Sequence, residues 1–228
     1  MAMIRRPEEL RPLRDGDILR LLAWLSPAFP TGAYAYSHGL EWAVETGDVT
    51  DSDTLSAWLA DVLAHGAGCN DAIVLRHAHR AAADPAALAG VAELAAATAP
   101  CRERRAETLG QGAAFVLAAA PWGTPTLPAR VPYPVAVGAM AGWHGIDEDS
   151  AAAGYLQAVT GNLISAAVRL VPLGQSAGLA VLASLEPVVL HIAAATRDAT
   201  LDDLGGCAFR SDMAAMHHET QYTRLFRS

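Results

Sequence analysis

The chain has 228 residues, 52% hydrophobic and 18% charged, with net charge −8 and a pI near 5.4, which suits one domain with a sizeable core. All 16 basic residues are arginine, so a Walker A loop and a Schiff-base centre are excluded, because both need a lysine amine. The arginines are scattered, apart from Arg5–Arg6 and Arg102–Arg104–Arg105, which argues against a nucleic-acid-binding face. Cys69, Cys101 and Cys207 are odd in number and form no CxxC. They read as reduced thiols of a cytoplasmic protein. The opening Met1–Pro7 lacks the apolar stretch of a signal peptide. Much of the apolar content is alanine, the strongest helix former, and the expectation is therefore all-α.

Residues 1–16, polar and punctuated by proline, read as a loose arm. Asp17 is placed to cap a helix carrying Ile18, Leu21, Leu22 and Leu25 at helical spacing. The run Ser26–Gly32 breaks it, and a second helix is expected over 34–46, stopped by Gly47. Asp51 caps the clearest helix, whose stripe is Leu55, Trp58, Leu59, Val62 and Leu63, up to Gly66. Helices follow over 70–83, 86–98 and 101–119. Pro121, Pro125, Pro128, Pro132 and Pro134 then force an extended loop.

Beyond it the pattern predicts a helix over 135–143 and a long one over 149–170. The uncharged stretch 151–168 reads as a buried helix rather than a membrane span, since Gln157 and Asn162 lie inside it. After the break at Pro172–Gly174 come two helices, 175–185 and 187–196, with Pro187 at a first helical position. Gly205–Gly206 marks a junction, and a last helix leads into the tail 217–228. No segment has strand period and no fixed repeat recurs. The fold class is an all-α, single-domain bundle of about ten helices, with its body at 17–216.

Eight histidines invite a metal reading. His77 and His79 would lie about 200° apart on a helix. His65 and Cys69 are separated by the helix breakers Gly66 and Gly68. His38 and Glu41, three apart, share a face if that segment is helical. HExxH and paired CxxC are absent. His217-His218-Glu219 converges on a soft metal only if the tail is flexible; otherwise it suits a protein interface. GxSxG does not occur. Glu103 and Glu107, interleaved with Arg102, Arg104 and Arg105, read as an ordinary intrahelical ion-pair surface or a partner-facing patch. Tyr222, Arg224, Leu225, Phe226 and Arg227 are of the types that anchor interfaces; the alternative is a tail folded onto its own core.

The run Leu25–Glu41 (LSPAFPTGAYAYSHGLE) resembles the opening signature of the UreF family of urease accessory proteins. So do Arg104 and Glu107 ahead of Gly110-Gln111-Gly112, Asn162 with Ala166, the run Arg169–Gln175, and the ending His218–Ser228. The family often carries glutamine at the place of His38 and serine at that of Thr223. The resemblance implies an all-α fold, usually homodimeric, with no catalysis, cofactor or resident metal of its own. It implies binding to UreD (UreH in some systems), recruitment of the GTPase UreG, and docking of that assembly on apo-urease for GTP-dependent nickel delivery. It points to Tyr36, Ser37, Gly39 and Glu41 as a UreG-facing or dimer-supporting surface. It also points to a partner-binding role for Arg104, Glu107, Arg169 and Gln175, and for His218, Glu219, Gln221, Tyr222, Arg224, Leu225, Phe226 and Arg227 in the tail, which orders against UreD/UreH.

Two rival readings compete with it. One is a metal-dependent hydrolase using His38, Glu41 and the pair His217-His218. The other is a GTPase-activating regulator that inserts Arg104, Arg169 or Arg224 as an arginine finger.

Overall fold

The computed structural model describes residues 15–228. Its helices are α1 (Asp15–Trp24), α2 (Leu40–Glu45), α3 (Ser52–His65), α4 (Ala67–Arg80), α5 (Pro85–Ala97), α6 (Arg102–Ala119), α7 (Tyr133–Trp143), α8 (Glu148–Leu170), α9 (Gln175–Ala195) and α10 (Phe209–His218). Single 3-10 turns occur at Ala33–Ala35, Ala120–Trp122 and Leu201–Asp203, and no strand occurs among the described residues. The all-α expectation holds. The predicted arm falls mostly at 1–14, outside the described residues, and α1 takes in Asp15 and Gly16, so Asp17 lies inside its first turn rather than capping it.

The helix starts follow their side chains. Asp51 accepts the Thr54 N–H at 2.9 Å while Thr54 Oγ1 accepts the Asp51 N–H at 3.0 Å, closing a capping box on α3. Asp84 caps α5 ahead of Pro85, and Asp147 accepts the Ser150 N–H at 2.8 Å at the start of α8.

Two expectations fail for local reasons. The helix expected over 34–46 is interrupted: Tyr36 is extended, His38 and Gly39 sit at φ 60° and 75°, and only Leu40–Glu45 is helical. A Cβ on Gly39 would stand 2.4 Å from the Ala215 backbone nitrogen, so α10 crosses the chain where only glycine leaves room. The helices expected over 175–185 and 187–196 are one helix, α9, with Pro187 in its interior. Proline removes the partner of the Ala183 carbonyl, and Ala183 and Pro187 both lie on the exposed side of α9, where the loss costs least.

α7 is the central rod, buried from Tyr133 to Ala141 and packed by α4, α6, α8 and α5. A Cβ on Gly138 or Gly142 would stand 2.2 Å from the carbonyl oxygen of Leu75 or His79, so α4 and α7 touch backbone to backbone. Trp24 and Phe115 meet edge to face at 6.2 Å on this core. A second cluster, built on Leu55, Trp58, Leu59, Leu163 and Leu185, joins α2, α3, α8 and α9. α9 is long and apolar enough to cross a membrane by length and composition; it packs along α8 and α3. The stretch 151–168 is part of α8, which buries Ala151, Leu156, Leu163 and Ala167.

Arg76 ties these layers together. It is 1% exposed and donates to Glu148 at 2.7 Å, Asp149 at 2.8 Å and Thr196 at 3.2 Å. Both carboxylates occupy the first turn of α8, where the helix dipole also favours negative charge.

Candidate partner-docking site

α10 crosses α2 and α6, and its last residue begins a clasp. His218 is fully buried, with Nδ1 2.7 Å from Glu103 and Nε2 3.2 Å from Glu41. The ring is thus held from both sides, bridging α2 and α6 at the end of α10. Glu41 also accepts the backbone N–H groups of Leu225 at 2.6 Å and Phe226 at 2.9 Å, while Glu103 accepts from Arg224 at 2.5 Å. Ser37 donates through its backbone N–H (2.7 Å) and Oγ (2.5 Å) to the Ser228 carbonyl, and Ser228 Oγ donates to Glu107 at 2.6 Å. Gln221 donates to Glu45, and the Arg227 N–H donates to the Ala35 carbonyl at 2.8 Å. The Arg169 guanidinium lies 4.3 Å over the Phe226 ring and donates to the Tyr34 carbonyl at 2.7 Å.

Behind the clasp lies a buried ionic centre. Glu107 pairs with Arg104, accepts from Gln111 at 3.0 Å, and stands 3.4 Å from His38. Burial alone would raise the Glu107 carboxyl, but the Arg104 guanidinium and the His38 ring outweigh it and hold it well below the usual carboxylate range. Burial, reinforced by Arg104, lowers the His38 ring, whose buried Nε2 has no hydrogen-bond partner among the described residues. His38, Asp71 and Arg104 line a polar cavity of about 70 Å³. Burial pushes the Asp71 carboxyl up to about 6 against the opposing Tyr155 hydroxyl, which donates to it at 2.7 Å.

The predicted site residues thus divide. Tyr36, Ser37, Glu41, Arg104, Glu107, Arg169, His218, Glu219, Gln221, Arg224, Phe226 and Arg227 form the clasp or its support: Glu219 accepts the Glu103 N–H at 3.1 Å, and Arg227 lies 5.9 Å over the Tyr36 ring. Gly39 lets α10 pass. Gln175, the first residue of α9, is exposed and takes no part in these bonds. Within the tail, His218, Gln221, Phe226 and Ser228 face inward, whereas Tyr222 and Leu225 are 103% and 66% exposed.

Several readings need correction. Arg104 and Glu107 are not an ordinary surface pair: α6 turns them inward with Gln111, and Glu103 reaches across to α10. His38 and Glu41 share no helical face, because His38 precedes α2 in the left-handed region and turns to Glu107. His217 stacks on Trp42 at 5.1 Å and His38 turns to Glu107, so of the four residues of the hydrolase reading only Glu41 and His218 meet. Among the described residues, no group of three or more metal-ligating side chains assembles. Each arginine proposed as a finger is engaged: Arg104 with Glu107, Arg169 with Phe226, Arg224 with Glu103.

One feature escaped the sequence reading. Phe209, Met213 and Met216 are 71%, 37% and 44% exposed along one side of α10, an i, i+4, i+7 row that period counting finds. The opposite side buries Ser211, Ala214, Ala215 and His218.

These features define an all-helical protein whose polar centre holds its own chain in place beneath an outward row of large apolar side chains. Residues 49–186 match the family model of UreF. The chain is 53% identical to the urease accessory protein UreF of Methylobacterium sp. (strain 4-46), with 92% of this chain and 88% of that protein aligned. It is 52% identical to the urease accessory protein UreF of Bradyrhizobium sp. (strain BTAi1) over the whole of both chains. The chain belongs to the UreF family.

Proposed function

We propose that this protein is a non-catalytic adaptor of urease maturation. In this reading it works in the cytoplasm as a homodimer, bridging UreD/UreH and the GTPase UreG on apo-urease in support of GTP-dependent nickel insertion. The names of its relatives support the urease context. The observation that carries the adaptor role is the outward row Phe209, Met213 and Met216 on α10, followed by exposed Tyr222 and Leu225 on the clasped tail. Large apolar side chains in such numbers on one element mark protein-docking surfaces, and here they would face UreD/UreH. Ordering a free tail costs about 1–2 kcal/mol per backbone residue; the clasp meets that cost before a partner arrives. Tyr36, beside Arg227 on the far side of the clasp, is assigned to the UreG-facing surface.

The test is co-expression with the urease operon partners, followed by pull-down and a urease assay. Tyr222→Ala/Leu225→Ala and Met213→Asp/Met216→Asp should lose UreD/UreH with helical circular dichroism unchanged. Retention of UreD/UreH by both variants would refute the assignment. Tyr36→Ala should lose UreG and urease activation while keeping UreD/UreH.

A further inference from the structure

Nearly every arginine among the described residues has a carboxylate, carbonyl or ring partner, including the exposed Arg197, Arg210 and Arg224. The exceptions are Arg105 on α6 and Arg130 in the loop before α7; both are exposed and neither has a partner among the described residues. Both stand on the same groove, about 250 Å³ between α5 and α6, floored by Ala89, Ala92 and Ala96, with Leu109 and Pro128 as walls. Glu93 also lines it but pairs with neither guanidinium. On a chain of net charge −8, two unpaired cations flanking one apolar groove are charge-complementary to an acidic partner, not to the protein's own surface.

The floor narrows the ligand further. Ala89 is exposed at the groove's rim, while Ala92 and Ala96, 3% and 9% exposed, lie at its bottom, so what enters is side chains projecting from a partner and not that partner's backbone. The volume is below the roughly 300–1,000 Å³ of small-molecule sites, so it suits a few protruding side chains rather than a cofactor. Arginine forks bind carboxylates bidentately and anchor interfaces. We propose that the α5–α6 groove docks an acidic amphipathic helix of a partner protein, small apolar residues on the alanine floor and carboxylates on Arg105 and Arg130. This surface is separate from the α10 row, and the proposal does not depend on the identity of the partner there.

The test uses the full chain and a fluorescent helix-forming peptide of alanine, leucine and glutamate, about 15 residues long so that it holds a helix, read by anisotropy. The wild type should bind it, more weakly as salt rises. Arg105→Glu/Arg130→Glu should weaken binding by at least about tenfold and should instead accept the analogue with lysine in place of glutamate. Ala89→Trp, which fills the groove with both charges kept, should abolish binding. All three positions are exposed, so circular dichroism should not change. No binding by the wild type, equal binding by the charge-reversed variant, or equally tight binding of a single-stranded oligonucleotide overturns the proposal.

Discussion

Glu41 and Phe226 are 185 residues apart in sequence, yet the carboxylate of one accepts the backbone N–H of the other at 2.9 Å. The same carboxylate holds Leu225 and His218, so one side chain on a six-residue helix fixes the path of the tail. Charge-assisted bonds of this kind contribute about 1.5–3 kcal/mol each. Glu41→Gln keeps the shape but loses the charge. It should lower stability by roughly 2 kcal/mol and speed amide exchange at residues 225 and 226 more than elsewhere, measured by urea unfolding and hydrogen exchange. Unchanged exchange there would show that the clasp does not rest on Glu41.

Arg104 and Glu107 are both buried, and removing one partner leaves the other charge stranded. Arg104→Met should cost about 3–5 kcal/mol. Arg104→Met/Glu107→Gln should cost less than the sum of the single changes, a coupling that a double-mutant cycle by urea denaturation reads directly. Additive losses would mean that the two side chains act independently.

Asp71 gives a pH signature. Its folded carboxyl is pushed up from an ordinary 3.8 to about 6, so the folded state binds that proton more tightly than the unfolded chain. The stability this provides is complete below about 4 and is lost as pH rises through about 6. Asp71→Asn, which still accepts from Tyr155, should therefore raise the melting temperature at pH 7.5 and leave it nearly unchanged at pH 3.5. An equal shift at both values would sink this account.

The Arg76 network has the opposite sign. Burial would raise Glu148 and Asp149, but Arg80, Arg76 and Arg197 hold both below the usual range. Their contribution is present above the ordinary carboxylate values and is lost as pH falls through the lowered folded ones. Arg76→Leu should destabilise strongly at pH 7, by about 3 kcal/mol or more, and progressively less toward pH 3. Chemical denaturation across that range checks it.

Much of the architecture was legible in the sequence because it is local. Asp51 with Thr54, Asp84 with Pro85, and the stripe from Leu55 to Leu63 carry their helices in adjacent residues. What resisted reading depends on distant contacts. Gly39 looked like an ordinary helix position until α10 is seen lying across it. Pro187 looked like a helix start because nothing local says that Ala183 faces water. Arg104 and Glu107 have the spacing of a surface pair, and only the strand-free path of residues 30–39 over α6 makes them interior. The tail's composition left a partner interface and a tail folded onto its own core both open, and which of its side chains turn inward is decided by Glu41, Glu103 and Ser37, far away in sequence.

The contact between α4 and α7 has a consequence for how the molecule opens. With Gly138 against Leu75 and Gly142 against His79, no side chain stands between the helices at these two points, and buried side chains of both helices pack around them, so local breathing does not part them a little at a time. Their amides should exchange only through global unfolding, marking the last unit to melt and the first place to look for structure in a partly denatured chain. The α10 amides should exchange through smaller openings, which would leave the exposed row of Phe209, Met213 and Met216 free to adjust while the seam stays shut.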